Sequence, residues 1–111
     1  GFLEPHSDPY LHQRLFISAY MSKRNVDYCG GGFYVVDPDN QARFAEDEIE
    51  IGDIGIGYAT VYHGVAPCQG EPSWSDDSGR WFLGLYSNVS DEVADRHTGA
   101  AARLDIKGVM P

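Results

Sequence analysis

The chain has 111 residues, 42% of them hydrophobic and 13% aromatic, with 17 acidic against 8 basic side chains and a net charge of −9. That length holds one domain rather than two, and an acidic chain without a Lys/Arg stripe gives no electrostatic support for binding a nucleic-acid backbone. No apolar run approaches a membrane span, and no charged segment followed by an apolar one opens the chain as a signal peptide would, so the expectation is a cytoplasmic protein with neither nucleic acid nor membrane as partner.

Residues 1–8 read as a short strand ending at Asp8-Pro9. Because the chain starts almost on its first chemistry-bearing motif, we expect a piece of a longer protein, with one core domain over residues 2–87 and a tail over 88–111. Residues 14–22 (RLFISAYMS) form a strand that is apolar almost throughout and is therefore expected to be buried on both sides. A polar loop ends in Gly30-Gly31-Gly32 and leads into a strand over residues 33–37 (FYVVD). The glycine run lacks the Lys-Ser/Thr ending of a phosphate loop and is expected to let the backbone swing tightly into that strand. Asp37-Pro38-Asp39-Asn40 is a turn, with Pro setting φ and Asp and Asn bonding to nearby backbone.

Residues 41–48 are acidic and fit a helical turn or a short strand; residues 49–51, 54–58 and 60–65 are short β segments broken by glycine. Residues 67–79 (PCQGEPSWSDDSG) form a loop, within which residues 69–79 are expected to act as a flap carrying Trp74. Residues 80–86 (RWFLGLY) are the last strong strand. In the tail, residues 91–96 suit a helical turn and residues 98–103 are small and Ala-rich. Many short strands with turns between them, and no long helix, predict an all-β sandwich or barrel, with a double-sheet jelly roll accommodating the count. Cys29 and Cys68 are too few for a disulfide framework and read as reduced thiols.

His6 and Asp8 are two residues apart, so a strand turns both to one face. His63 follows on a distant apolar strand. Two His and one carboxylate can occupy one face of an iron ion and leave positions open, the pattern of non-haem Fe(II) oxygenases. Taken singly, His6-Ser7-Asp8 is also compatible with a surface pair beside an Asp-Pro turn, and His63 with a satisfied core histidine. Arg80 opens an apolar strand, where a buried guanidinium needs an anion; its fork suits a carboxylate such as the far end of a dicarboxylate cosubstrate, or else it snorkels to water. Tyr20 can reach the same carboxylate or can be a core aromatic. His12 and His97 have no partner at useful spacing.

Taken in order, HSD (residues 6–8), LFISAYMS (15–22), GGFYVVD (31–37), IEIGDIGIGYATVYHGVAPC (49–68) and GRWFLGLY (79–86) resemble the Fe(II)/2-oxoglutarate-dependent dioxygenases, in particular the prolyl 4-hydroxylase-like branch. The resemblance implies a double-stranded β-helix (jelly roll) without its usual N-terminal supporting elements. It implies iron held by His6, Asp8 and His63, 2-oxoglutarate as cosubstrate with its far carboxylate on Arg80 and Tyr20, and ascorbate as an accessory reductant. The implied reaction hydroxylates an unactivated C–H bond of a peptide or small molecule and releases succinate and CO2. Halogenating relatives have Gly or Ala in place of the carboxylate ligand, so Asp8 points to hydroxylation. The competing expectation is a non-catalytic jelly-roll or cupin-like module binding a metal or ligand, although the paired His-x-His and downstream Glu of standard cupins are absent.

Overall fold

A computed structural model describes residues 1–8, 13–70, 79–86, 100–101 and 107–108. The strands are β1 (Leu3–Ser7), β2 (Leu15–Tyr20), β3 (Gly32–Val36), β4 (Ala42–Phe44), β5 (Ile54–Tyr58), β6 (His63–Ala66), β7 (Phe82–Tyr86) and the two-residue β8 (Ala100–Ala101), with one 3-10 turn over Ala45–Asp47. They make two sheets, ordered β4-β3-β6-β1-β8 and β5-β2-β7, and every pairing is antiparallel. The protein is all-β. The pairs β3·β4, β2·β5 and β1·β6 nest one inside the next in sequence, while lying alternately in the two sheets.

Local chemistry accounts for most element ends. Asp37 Oδ1 accepts the amides of Asp39 (3.0 Å) and Gln41 (2.8 Å), and Asn40 sits at φ +58, which closes the expected turn between β3 and β4. Residues 41–48 hold both a short strand and a helical turn. Residues 49–51 do not form a strand: Asp53 Oδ2 captures the Glu50 amide at 2.9 Å, and Gly52 at φ +97 reverses the chain. β6 starts at His63 rather than residue 60, because the Val61 amide turns back to the Tyr58 carbonyl (3.1 Å).

The face that β2 turns inward is buried at Phe16 and Tyr20, and Phe16 packs edge-on to Phe33 of the other sheet at 5.3 Å. The expectation that β2 is covered on both sides is not met. Leu15 and Ile17 share the outer face with Tyr58 and Ile56 of β5 and Leu85 of β7. Ile54, Ile56 and Tyr58 there are 64–70% exposed. The alternation of β5 explains the inversion: Gly55 and Gly57 face inward because the Tyr20 and Phe16 rings lie on them, where a Cβ on Gly57 would come within 2.1 Å of Phe16 Cζ. Among the described residues no helix is long and apolar enough to cross a membrane. Trp74 and most of the flap, the helical turn over residues 91–96, His12 and His97 lie outside the described residues, as do most of residues 98–103.

Candidate metal centre

β1 and β6 are direct neighbours, and His6 is the cross-strand partner of His63. That register sets the imidazole centroids 4.5 Å apart. The register shifts between Leu3 and His6, across Pro5, which has no N–H to give a ladder; such bulges re-aim side chains. Asp8 follows the end of β1, fixed by its amide bonding to the Ala59 carbonyl at 2.8 Å.

The side chains of His6, Asp8 and His63 converge. One ligand atom from each lies within 4.8 Å of the others, and all three are largely buried, at 13%, 11% and 7% side-chain exposure. His6 Nδ1 lies 2.7 Å from the Glu4 carbonyl and His63 Nδ1 lies 2.8 Å from the Val61 carbonyl. A carbonyl only accepts, so both Nδ1 atoms carry a proton, and in a neutral ring Nε2 then presents a lone pair. Those Nε2 atoms face Asp8, His6 at 3.7 Å from Oδ1 and His63 at 3.7 Å from Oδ2. Such gaps are too long for hydrogen bonds. Burial, helped by His6, lowers the His63 pKa against the opposing pull of the Val61 carbonyl and Asp8, keeping its imidazole neutral. Three acceptors thus point at one another, an arrangement that a cation relieves. Gln13 Nε2 donates to Asp8 Oδ2 at 2.7 Å and orients the carboxylate. Phe16 and Phe33 pack against the His63 ring at 5.0 and 5.6 Å, making one wall apolar.

Arg80 has the anion that its position demands, and the anion is Glu46. The guanidinium Nε donates to both Glu46 oxygens (2.8 and 2.9 Å), and Nη2 donates to Oε1. Glu46 also accepts from the Phe33 amide at 2.8 Å and from the Tyr28 hydroxyl. Side-chain exposure is 10% for Arg80 and 2% for Glu46. Burial by itself would raise the Glu46 pKa, but the bonds from Arg80, Tyr28 and Phe33 outweigh it and hold the carboxyl below its ordinary range. Burial would lower the Arg80 pKa, and Glu46 reverses that. Tyr20 lies beside this pair: burial first and Glu46 second push its phenol pKa up, against Arg80.

The two clusters share a strand pair. Phe33, whose amide binds Glu46, pairs with Val65, and Val35 pairs with His63. The two-residue step from Phe33 to Val35 corresponds to about 7 Å along the strand. Sequence reasoning singled out all three triad residues and Arg80, and the structure brings the triad together. It missed Gln13, Tyr28 and Glu46. The signal for Glu46 was present only indirectly, as the need of a buried Arg for an acid. No protein-family model, no curated protein and no solved structure matches the chain.

Proposed function

We propose that the chain is the core of an Fe(II)- and 2-oxoglutarate-dependent oxygenase. The observation that carries this is the meeting of two Nε2 lone pairs and one carboxylate, with both Nδ1 protons tied to backbone carbonyls. Two neutral imidazoles and a carboxylate on one side of an ion are the donor set of non-haem Fe(II) oxygenases, and fixing the remote ring nitrogen is how proteins orient metal-binding histidines. The nested antiparallel pairs, alternating between two sheets, support a double-stranded β-helix.

His6, Asp8 and His63 would hold the iron, which when bound couples decarboxylation of 2-oxoglutarate by O2 to hydroxylation of a C–H bond, giving succinate, CO2 and an alcohol. The Glu4 and Val61 carbonyls hold the two rings in one tautomer and one orientation. Gln13 keeps Asp8 turned toward them. Phe16 and Phe33 exclude water from the His63 side. Arg80 and Tyr20 would supply a cation and a phenol to the far carboxylate of the dicarboxylate.

One observation favours the second reading, a metal-binding module without catalysis: Glu46 already fills the Arg80 fork. Succinate production separates the two. Incubation with Fe(II), 2-oxoglutarate and O2 is expected to release succinate, and Asp8→Ala is expected to stop it. Metal binding with no succinate, across a panel of peptides and small molecules, would favour the module.

A further inference from the structure

We propose, on the basis of that oxygenase reading, that Glu46 sets the choice of 2-oxo acid: its carboxylate is the resident occupant of a carboxylate socket that the far end of 2-oxoglutarate has to take over. The site would therefore discriminate weakly between 2-oxoglutarate and 2-oxo monoacids such as 2-oxobutyrate.

The socket is built for two oxygens. The Arg80 Nε and Nη2, the Phe33 amide and the Tyr28 hydroxyl all donate into the place where the Glu46 carboxylate sits. A guanidinium fork binds any carboxylate by the same parallel N–H pair, so a ligand carboxylate and Glu46 compete for identical donors. Glu46 is carried by the three-residue 3-10 turn Ala45–Asp47, not by a strand. Its backbone is thus outside the β3 ladder that holds the Phe33 amide. The third glycine of the Gly30-Gly31-Gly32 run gives it room: Gly32 stands at φ +102, and a Cβ there would lie 3.3 Å from Glu46 Oε2. The Phe33 amide of the socket and Val35, the cross-strand partner of His63, are two residues apart on β3, about 7 Å.

A ligand that binds only the open socket loses affinity in proportion to the fraction of molecules in which Glu46 has left it. A 2-oxo monoacid, which never needs the socket, escapes that loss. Glu46→Gln removes the competing charge while keeping size and shape. We expect it to bind 2-oxoglutarate about ten-fold or more tightly than wild type, with 2-oxobutyrate unchanged within about two-fold.

The measurement is calorimetric titration of each 2-oxo acid into the Fe(II)-loaded chain without oxygen, in wild type and in Glu46→Gln. No gain for 2-oxoglutarate, or an equal gain for both acids, overturns the proposal. Should Glu46→Gln not fold, wild type decides: a preference for 2-oxoglutarate within about a hundred-fold supports a filled socket, and any larger preference overturns it. If neither protein takes up Fe(II), the oxygenase reading falls and this one with it; if Fe(II) binds at the triad and the ratio between the acids does not move, only the role of Glu46 falls.

Discussion

Two groups of ionisable side chains adjoin the same β3·β6 pair, and they are satisfied in opposite ways. At Arg80–Glu46 a guanidinium, an amide and a hydroxyl surround one carboxylate, and charge is cancelled inside the cluster. At His6–Asp8–His63 the protons point away to backbone carbonyls, and three acceptors face inward. The first is complete as it stands and contributes to the fold. The second could hold a cation.

The largest expected effect breaks the complete cluster. Arg80→Ala leaves Glu46 buried without its counter-charge, which typically costs about 3–5 kcal/mol. Urea unfolding should show that loss, and the double variant Arg80→Ala/Glu46→Ala should recover part of it. A single variant as stable as wild type would mean that the pair is already hydrated.

Removing a histidine sharpens the contrast. His6→Ala and His63→Ala should each weaken Fe(II) or Mn(II) binding by more than about a hundred-fold, beyond what loss of an outer partner costs. They should differ in stability. His63 packs against Phe16 and Phe33, so its loss should cost about 1–3 kcal/mol, a typical cavity penalty. His6→Ala should cost under about 1 kcal/mol. Gln13→Ala should weaken metal binding by about ten-fold, because it frees Asp8 without removing a ligand.

The smallest effect is in acid. The folded Glu46 pKa lies below its ordinary 4.5, so the carboxylate contributes stability that is fully present above that value and is lost as pH falls through the folded pKa. Thermal melts of wild type and Glu46→Gln should be furthest apart at neutral pH and should converge as the pH falls through the lowered folded pKa. A constant difference across the range would mean that the Glu46 charge contributes nothing.

The sequence pointed to the triad because a strand has period two, which puts His6 and Asp8 on one face, while His63 alone read equally as a satisfied core histidine. It showed that Arg80 needed an anion. It did not show which, since Glu46 sits in the acidic run Ala45-Glu46-Asp47-Glu48 where nothing in the local pattern separates the one buried acid from its neighbours. The burial of β2 on both sides was misjudged for a related reason. Over Ile54-Gly55-Ile56-Gly57-Tyr58 the inward side is already filled by the Phe16 and Tyr20 rings, and only glycine fits beneath them, which leaves the large side chains of β5 on the outer face beside Leu15 and Ile17. Which partner fills a space is decided by distant residues, and a single-chain pattern records only one side of the contact.

The central claim is that three inward-facing acceptors await one cation. Anaerobic calorimetric titration of Fe(II) into wild type and Asp8→Asn tests it most directly. The account predicts one equivalent bound by wild type and raised thermal stability on binding, with both lost in Asp8→Asn, whose metal-free form melts no lower than wild type because an amide can donate to a facing Nε2. No binding by wild type, or undiminished binding by a folded Asp8→Asn, would contradict it.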